Sequence, residues 1–225
     1  MIKYKLRLVF SVNVVTFGTT FQFYSLTVIN NPATIVRRWI NQSYENQHNT
    51  SLTNHETIWT LTTAALLIGA IPGSLLVSMV IKYTSQKCGL ISVPSVCIIG
   101  SVLVGIAAEL DSFQVLIAGR FILGIALSSG VATIFVTEIP PVRYRGSCGS
   151  ALSSMISFSQ LLSMILTLPH VLGTARLWPI TLVIPGIAAT TLIVATIAFL
   201  QSTPRYCYIV EKILKNLSKQ SNSIK

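Results

Sequence analysis

Six uninterrupted apolar runs divide this chain, at about residues 8–29, 58–81, 89–108, 114–136, 147–169 and 178–200. Each is near the ~20 mostly apolar residues that a helix needs to cross the hydrocarbon core of a bilayer. The runs are continuous rather than alternating, so they do not read as half-buried strands, and open sheet edges cannot face lipid. The pattern predicts six transmembrane helices forming one membrane domain over residues 1–225. The stretch 30–57, polar and rich in asparagine, reads as a loop, and residues 201–225 read as a polar tail.

Composition agrees with lipid as the solvent. Hydrophobic residues make up 52% of the chain, mean hydropathy is +0.69 and only 10% of residues are charged, where a soluble domain carries about a quarter. A net charge of +10 could point to nucleic acid or an anionic surface, but its distribution points elsewhere. With the N-terminus cytoplasmic, six crossings place Lys3, Lys5, Arg7, Lys82, Lys87, Arg143, Arg145, Arg205, Lys212, Lys215, Lys219 and Lys225 inside. Outside fall Arg37, Arg38 and Arg176, together with Glu45, Glu56, Glu109 and Asp111. This is the positive-inside asymmetry of a multi-pass membrane protein. It predicts cytoplasmic termini in a plasma-membrane protein and no nucleic-acid partner. The opening "KYKLR" before an apolar run also has the look of a cleaved signal, but the run is long and no small-residue cleavage site closes it, so an uncleaved first helix is expected.

That orientation puts two glycosylation acceptors, Asn41-Gln-Ser and Asn49-Thr-Ser, in the outer loop, while Asn216-Leu-Ser falls inside and should stay unmodified. Cys88, Cys148 and Cys207 lie at the cytoplasmic face, where thiols stay reduced, and Cys97 lies within the third run. No cysteine has metal-ligand spacing with His48, His55 or His170. No nucleophile, base or phosphate loop is assembled, so neither an enzyme, a metal nor a cofactor is expected.

Charge is concentrated in one place, "TEIPPVRYRG" at 137–146, between the fourth and fifth runs. Two prolines break the helix there. Short-loop cations orient a membrane protein, but acids contribute little to orientation, so Glu138 asks for another explanation. The sequence here resembles the sugar-transporter branch of the major facilitator superfamily, of the facilitative glucose-transporter type. Glu138, Pro141, Arg145 and Gly146 match the family's Glu-x-x-Pro-x-x-x-Arg-Gly. Gly119, Arg120 and Gly124 of "GRFILG" match its Gly-Arg-Phe-x-x-Gly. "VINNP" after the first run, "LWP" at 177–179 and "TPR" at 203–205 resemble three further family motifs in the same order. The Asn31-Pro32-Ala33 triplet also occurs in water channels, but that fold uses two copies and this sequence has one.

The resemblance implies the N-terminal six-helix half of the major facilitator fold, working on a monosaccharide that binds between two such halves. It implies a cytoplasmic latch drawn from Glu138, Arg143, Arg145, Arg205 and Lys87. Three positions depart from the family: Ser85-Gln86-Lys87 replaces a Gly-Arg-Arg turn, Ser202 replaces a glutamate, and Ser153 replaces a glutamine that contacts sugar in the family. Along the fifth run Ser150, Ser153, Ser157, Gln160 and Thr167 recur at helical spacing. With Gln22 and Ser25 of the first run and Ser78 of the second, they are candidates to line a substrate path; the competing reading is a small-residue packing seam. Arg120 is a charge within a span, either snorkelling to the headgroups or facing the bundle interior. It is about 27 Å along the helix from Glu138 and cannot pair with it. The expected function is solute transport of the sugar-facilitator type, completed by a second six-helix half or a homo-oligomer. The alternative is a truncated chain that assembles or interferes with a full-length transporter.

Overall fold

The protein is described by a computed structural model over residues 16–18, 21–48, 55–84, 86–127 and 145–199. Its helical elements are α1 (21–27), α2 (Ala33–His48), α3 (His55–Tyr83), α4 (Gln86–Glu109), α5 (Phe113–Leu127), α6 (Arg145–Leu166) and α7 (Trp178–Phe199). Four of them, α3, α4, α6 and α7, are long and apolar enough to cross a membrane, and α5 is a shorter apolar helix. The fold is all-α and that of a multi-pass membrane protein. Large apolar side chains such as Ile71, Leu75, Met79, Ile187 and Val194 stand exposed on its outer surface, as lipid as the solvent requires.

The core forms where α4 packs on α5 and α7, and α3 packs on α5. Small residues set the α3–α5 distance. A β-carbon added at Gly124 would meet the Leu66 carbonyl and the Gly69 Cα; one added at Gly69 would meet the Phe121 carbonyl and the Gly124 Cα. The two backbones therefore touch through this pair. Such close approach is how helices associate in lipid, where no hydrophobic force pushes them together.

The polar stretch expected as a loop contains a 16-residue helix, α2. It buries Val36, Ile40 and Ser43 along one side, a spacing of four and then three residues that only a helix brings to one face. The helix caps one end of the bundle. Arg37 pairs with Glu56 at 3.0 Å and lies 4.8 Å over the Trp59 ring at the start of α3. Trp39 meets Trp178 at the start of α7, with ring centroids 5.3 Å apart. Ser43 and Gln47 donate to the Asp111 carbonyl, and Asn46 donates to the Asp111 carboxylate at 2.9 Å. Asp111 turns the chain from α4 into α5 with a φ of 49°, a left-handed conformation that a short polar side chain tolerates better than most. Three donors from α2 hold that turn in place. The exposed Arg37–Glu56 pair itself contributes only about 0–1 kcal/mol.

The Gly69–Gly124 contact gives a stability test. Gly124→Val should force α3 and α5 apart and cost about 1–3 kcal/mol or more, read as a lower Tm of the purified chain in detergent. Gly149→Ala, where an added β-carbon meets nothing within 4 Å, should leave Tm nearly unchanged.

Candidate functional site

Among the buried polar side chains are Gln22 and Ser25 of α1, Arg120 of α5, and Ser159 and Ser163 of α6. Arg120 sits two turns into α5 and is 1% exposed, so it faces the interior rather than snorkelling outward. Its Nε donates to the Thr62 carbonyl of α3 at 3.1 Å, and Nη1 reaches the Ser25 carbonyl of α1 at 3.5 Å. A guanidinium in low dielectric needs such partners, and one side chain thereby ties three helices. Ser25 takes part through its backbone. Its side chain, and that of Gln22, are 2% and 3% exposed.

α1 meets α6 through polar contacts. Thr27 Oγ1 reaches the Gln160 carbonyl at 3.5 Å; Asn31 Nδ2 donates to the Met164 carbonyl at 2.8 Å and to Thr167 Oγ1 at 3.1 Å. The asparagine of the isolated Asn-Pro-Ala triplet thus pins the cap end of the first span to the last turn of α6. Pro32 supplies the carbonyl that the Val36 N–H of α2 donates to.

The serines of α6 and Thr167, just past its end, divide into two sets. Ser150, Ser153 and Ser157 are exposed, and each gives its proton to a carbonyl three or four residues back. Gln160 is half-buried. Ser159, Ser163 and Thr167 are buried. The single polar face expected from spacing is therefore two faces: an open one carrying Ser153 and Ser157, and a buried one carrying Thr167 and the two serines that spacing arguments passed over. The signal for the second face was present, since positions 152, 159, 163 and 167 also fall at helical intervals, but hydroxyl positions alone do not say which side is inside.

The open face changes character along its length. From 147 to 157 it exposes Ser147, Ser150, Ser153, Ser154 and Ser157; beyond it, toward the cap end, come Phe158, Leu161, Met164 and Ile165. α6 is also the least apolar of the four long spans and the least enclosed, with 17% of its apolar window buried against 28–44% in the others. A substrate held between this bundle and another body would meet groups that are open in this bundle, which Ser153 and Ser157 are and Gln22 and Ser25 are not. Ser78 is exposed on α3 and donates to the Ser74 carbonyl.

Of the charged residues in the expected latch, Glu138, Arg143 and Arg205 lie outside the described residues. Lys87 stands in the first turn of α4, and Arg145 opens α6 with an exposed side chain; both are at the end of the bundle opposite α2. Asn41 lies within α2 and is half-buried, and Asn49 is outside the described residues.

A bundle of helices long and apolar enough to cross a membrane, tied by a buried arginine, is that of a multi-pass membrane protein. Residues 12–222 match the family described as Sugar (and other) transporter, and the chain belongs to that family. It is 32% identical over 216 residues to the facilitated glucose transporter member 3 of solute carrier family 2 from Rattus norvegicus, covering 91% of this chain and 42% of that protein. It is 29% identical over 199 residues to member 9 from Homo sapiens, covering 84% and 36%. Among solved structures it is similar to the D-xylose-proton symporter, at 18% identity and a TM-score of 0.73 over 94% of this chain and 53% of that one. It is likewise similar to the xylose transporter XylE from E. coli in an inward-open conformation, at 20% identity and a TM-score of 0.72, covering 95% and 54%. The fold is that of the N-terminal six-helix half of a major facilitator transporter. The chain spans less than half the length of the curated relatives it matches.

The tie at Arg120 is open to a direct test. Arg120→Lys keeps the charge but loses the planar fork that spans two carbonyls. It should cost about 1–3 kcal/mol, read as a lower Tm in detergent; an unchanged Tm would show that the tie does not hold the bundle.

Proposed function

We propose that this chain forms one wall of a sugar-facilitator-type carrier, which binds a neutral monosaccharide between α6 of this bundle and a second six-helix body. That body is either a further half or a second copy. One observation carries the reading: the least enclosed span is also the least apolar, and its open face is a row of serines. A helix face bound for lipid gains nothing from five hydroxyls, whereas a face bound for a polyol and water does. Carriers of this kind work by rocking two bodies about a site near the midplane. Glu138, with Arg143, Arg145, Arg205 and Lys87 as its cationic candidates, would bias that equilibrium by pairing differently in the two states. The network would be complete only with groups on the second body.

Labelled-hexose uptake into proteoliposomes of the purified chain tests the proposal. Uptake should exceed that of empty vesicles, and uptake no greater than theirs would sink transport by this chain. Ser153 stands where the family has a sugar-contacting glutamine, so Ser153→Gln should raise kcat/KM for hexose by about fivefold, the equivalent of one hydrogen bond of ~1 kcal/mol.

The same reading puts α2 on the outer side of the membrane and both termini on the inner side. Asn41 is half-buried within a helix, so Asn49 is the acceptor expected to carry a glycan in cells. Asn49→Gln should abolish a glycosidase-sensitive mass shift and Asn41→Gln should preserve it. A shift that survives loss of both asparagines would reverse the orientation.

A further inference from the structure

We propose, resting on the carrier reading above, that Ser154 is the serine of α6 that donates a hydrogen bond to the sugar, while Ser150, Ser153 and Ser157 accept from it. A serine within a membrane helix can give its proton to a carbonyl three or four residues back. The exposed serines Ser74, Ser78, Ser150, Ser153 and Ser157 all do so, over 2.8 to 3.3 Å. Ser154 is exposed on the same helix, with the carbonyls of Ser150 and Ala151 at the same intervals behind it. It gives its proton to neither and has no hydrogen-bond partner among the described residues. Ser147 is the other exposed serine of α6 without such a bond, but it stands in the first turn, ~10 Å nearer the end of the helix.

Position singles out Ser154 as well. Leu152, Ser159 and Ser163 mark the buried side of α6. At ~100° per residue, Ser154 lies ~160° around the helix from their mean direction and Ser153 only ~100°. Ser154 therefore faces straight out of the bundle, and Ser153 stands at the flank. Ser154 is also the tenth of the 22 residues of α6, close to mid-span, where two-body carriers hold their substrate. A hydroxyl whose proton is committed to its own helix has only lone pairs to offer, so Ser150, Ser153 and Ser157 serve ligand groups that donate. The oxygens of a sugar must also find donors once they leave water. Ser154 supplies one at the centre of the wall. Gln160 carries a further donor on this helix, but it is half-buried and ~9 Å nearer the cap.

Ser154→Ala should raise KM for labelled hexose in proteoliposomes about fivefold with kcat unchanged, the mark of a hydrogen bond made in ground and transition state alike. Tm in detergent should not move, because Ser154 holds no other group of the protein. Analogues that each lack one oxygen, the monodeoxy hexoses and the carbocyclic hexose, identify the acceptor. One of them should have a KM that Ser154→Ala does not alter, and the rest should keep the fivefold loss. An unchanged KM for the parent hexose, a loss shared by every analogue, or a lower Tm would overturn the assignment. Uptake no greater than that of empty vesicles would sink transport by this chain without touching Ser154, which saturation-transfer NMR of hexose with the purified chain in detergent then reads directly. The dissociation constant should rise about fivefold in Ser154→Ala; no binding, or an unchanged constant, would overturn the role of Ser154.

Discussion

The guanidinium of Arg120 is the constraint around which this bundle is arranged. A positive charge cannot stay bare in hydrocarbon. This one is held by carbonyl dipoles of two neighbouring helices, from Thr62 on α3 and Ser25 on α1. Meeting both requires α5 to sit between those helices at short range. The Gly69–Gly124 contact supplies that range on the α3 side. Charge and small residues thus solve one problem together: the glycines let the backbones touch, and the arginine gives the touching backbones something to bind.

The two ends of the bundle are finished differently. At the end carrying α2, side chains from one amphipathic helix reach the start of α3, the α4–α5 turn at Asp111 and the start of α7, and Asn31 fastens α1 to α6. At the other end α6 opens with exposed serines. An assembly that rocks two bodies about a central site needs each body to move as a unit. A strap across one end and a polar wall toward the other are compatible with that.

Helix α2 shows where reading by composition falls short. Residues 30–57 are polar enough to pass for a loop, yet Val36, Ile40 and Ser43 are buried at helical spacing. The apolar stripe was visible as Ile35, Val36, Trp39, Ile40 and Tyr44, and the surrounding asparagines and glutamines outweighed it. The hydroxyls of α6 failed in the other direction. Their spacing marked a helix face but could not separate Ser153 and Ser157, which are open, from Ser163 and Thr167, which are enclosed.

What the sequence alone determined is the solvent and the family. An apolar run of ~20 residues crosses a bilayer whatever its neighbours do, and the motifs around Arg120 and Arg145 are local and ordered along the chain. What only the tertiary structure decided is the inside and outside of each span. A helix that is apolar all round carries almost no amphipathic signal, because lipid and protein interior are equally apolar and a leucine fits either. Burial of Arg120, Gln22, Tyr24 and Ser163 therefore depends on which helices pack beside them. That is set by backbone contacts such as Gly69 on Gly124, between residues 55 positions apart in the chain.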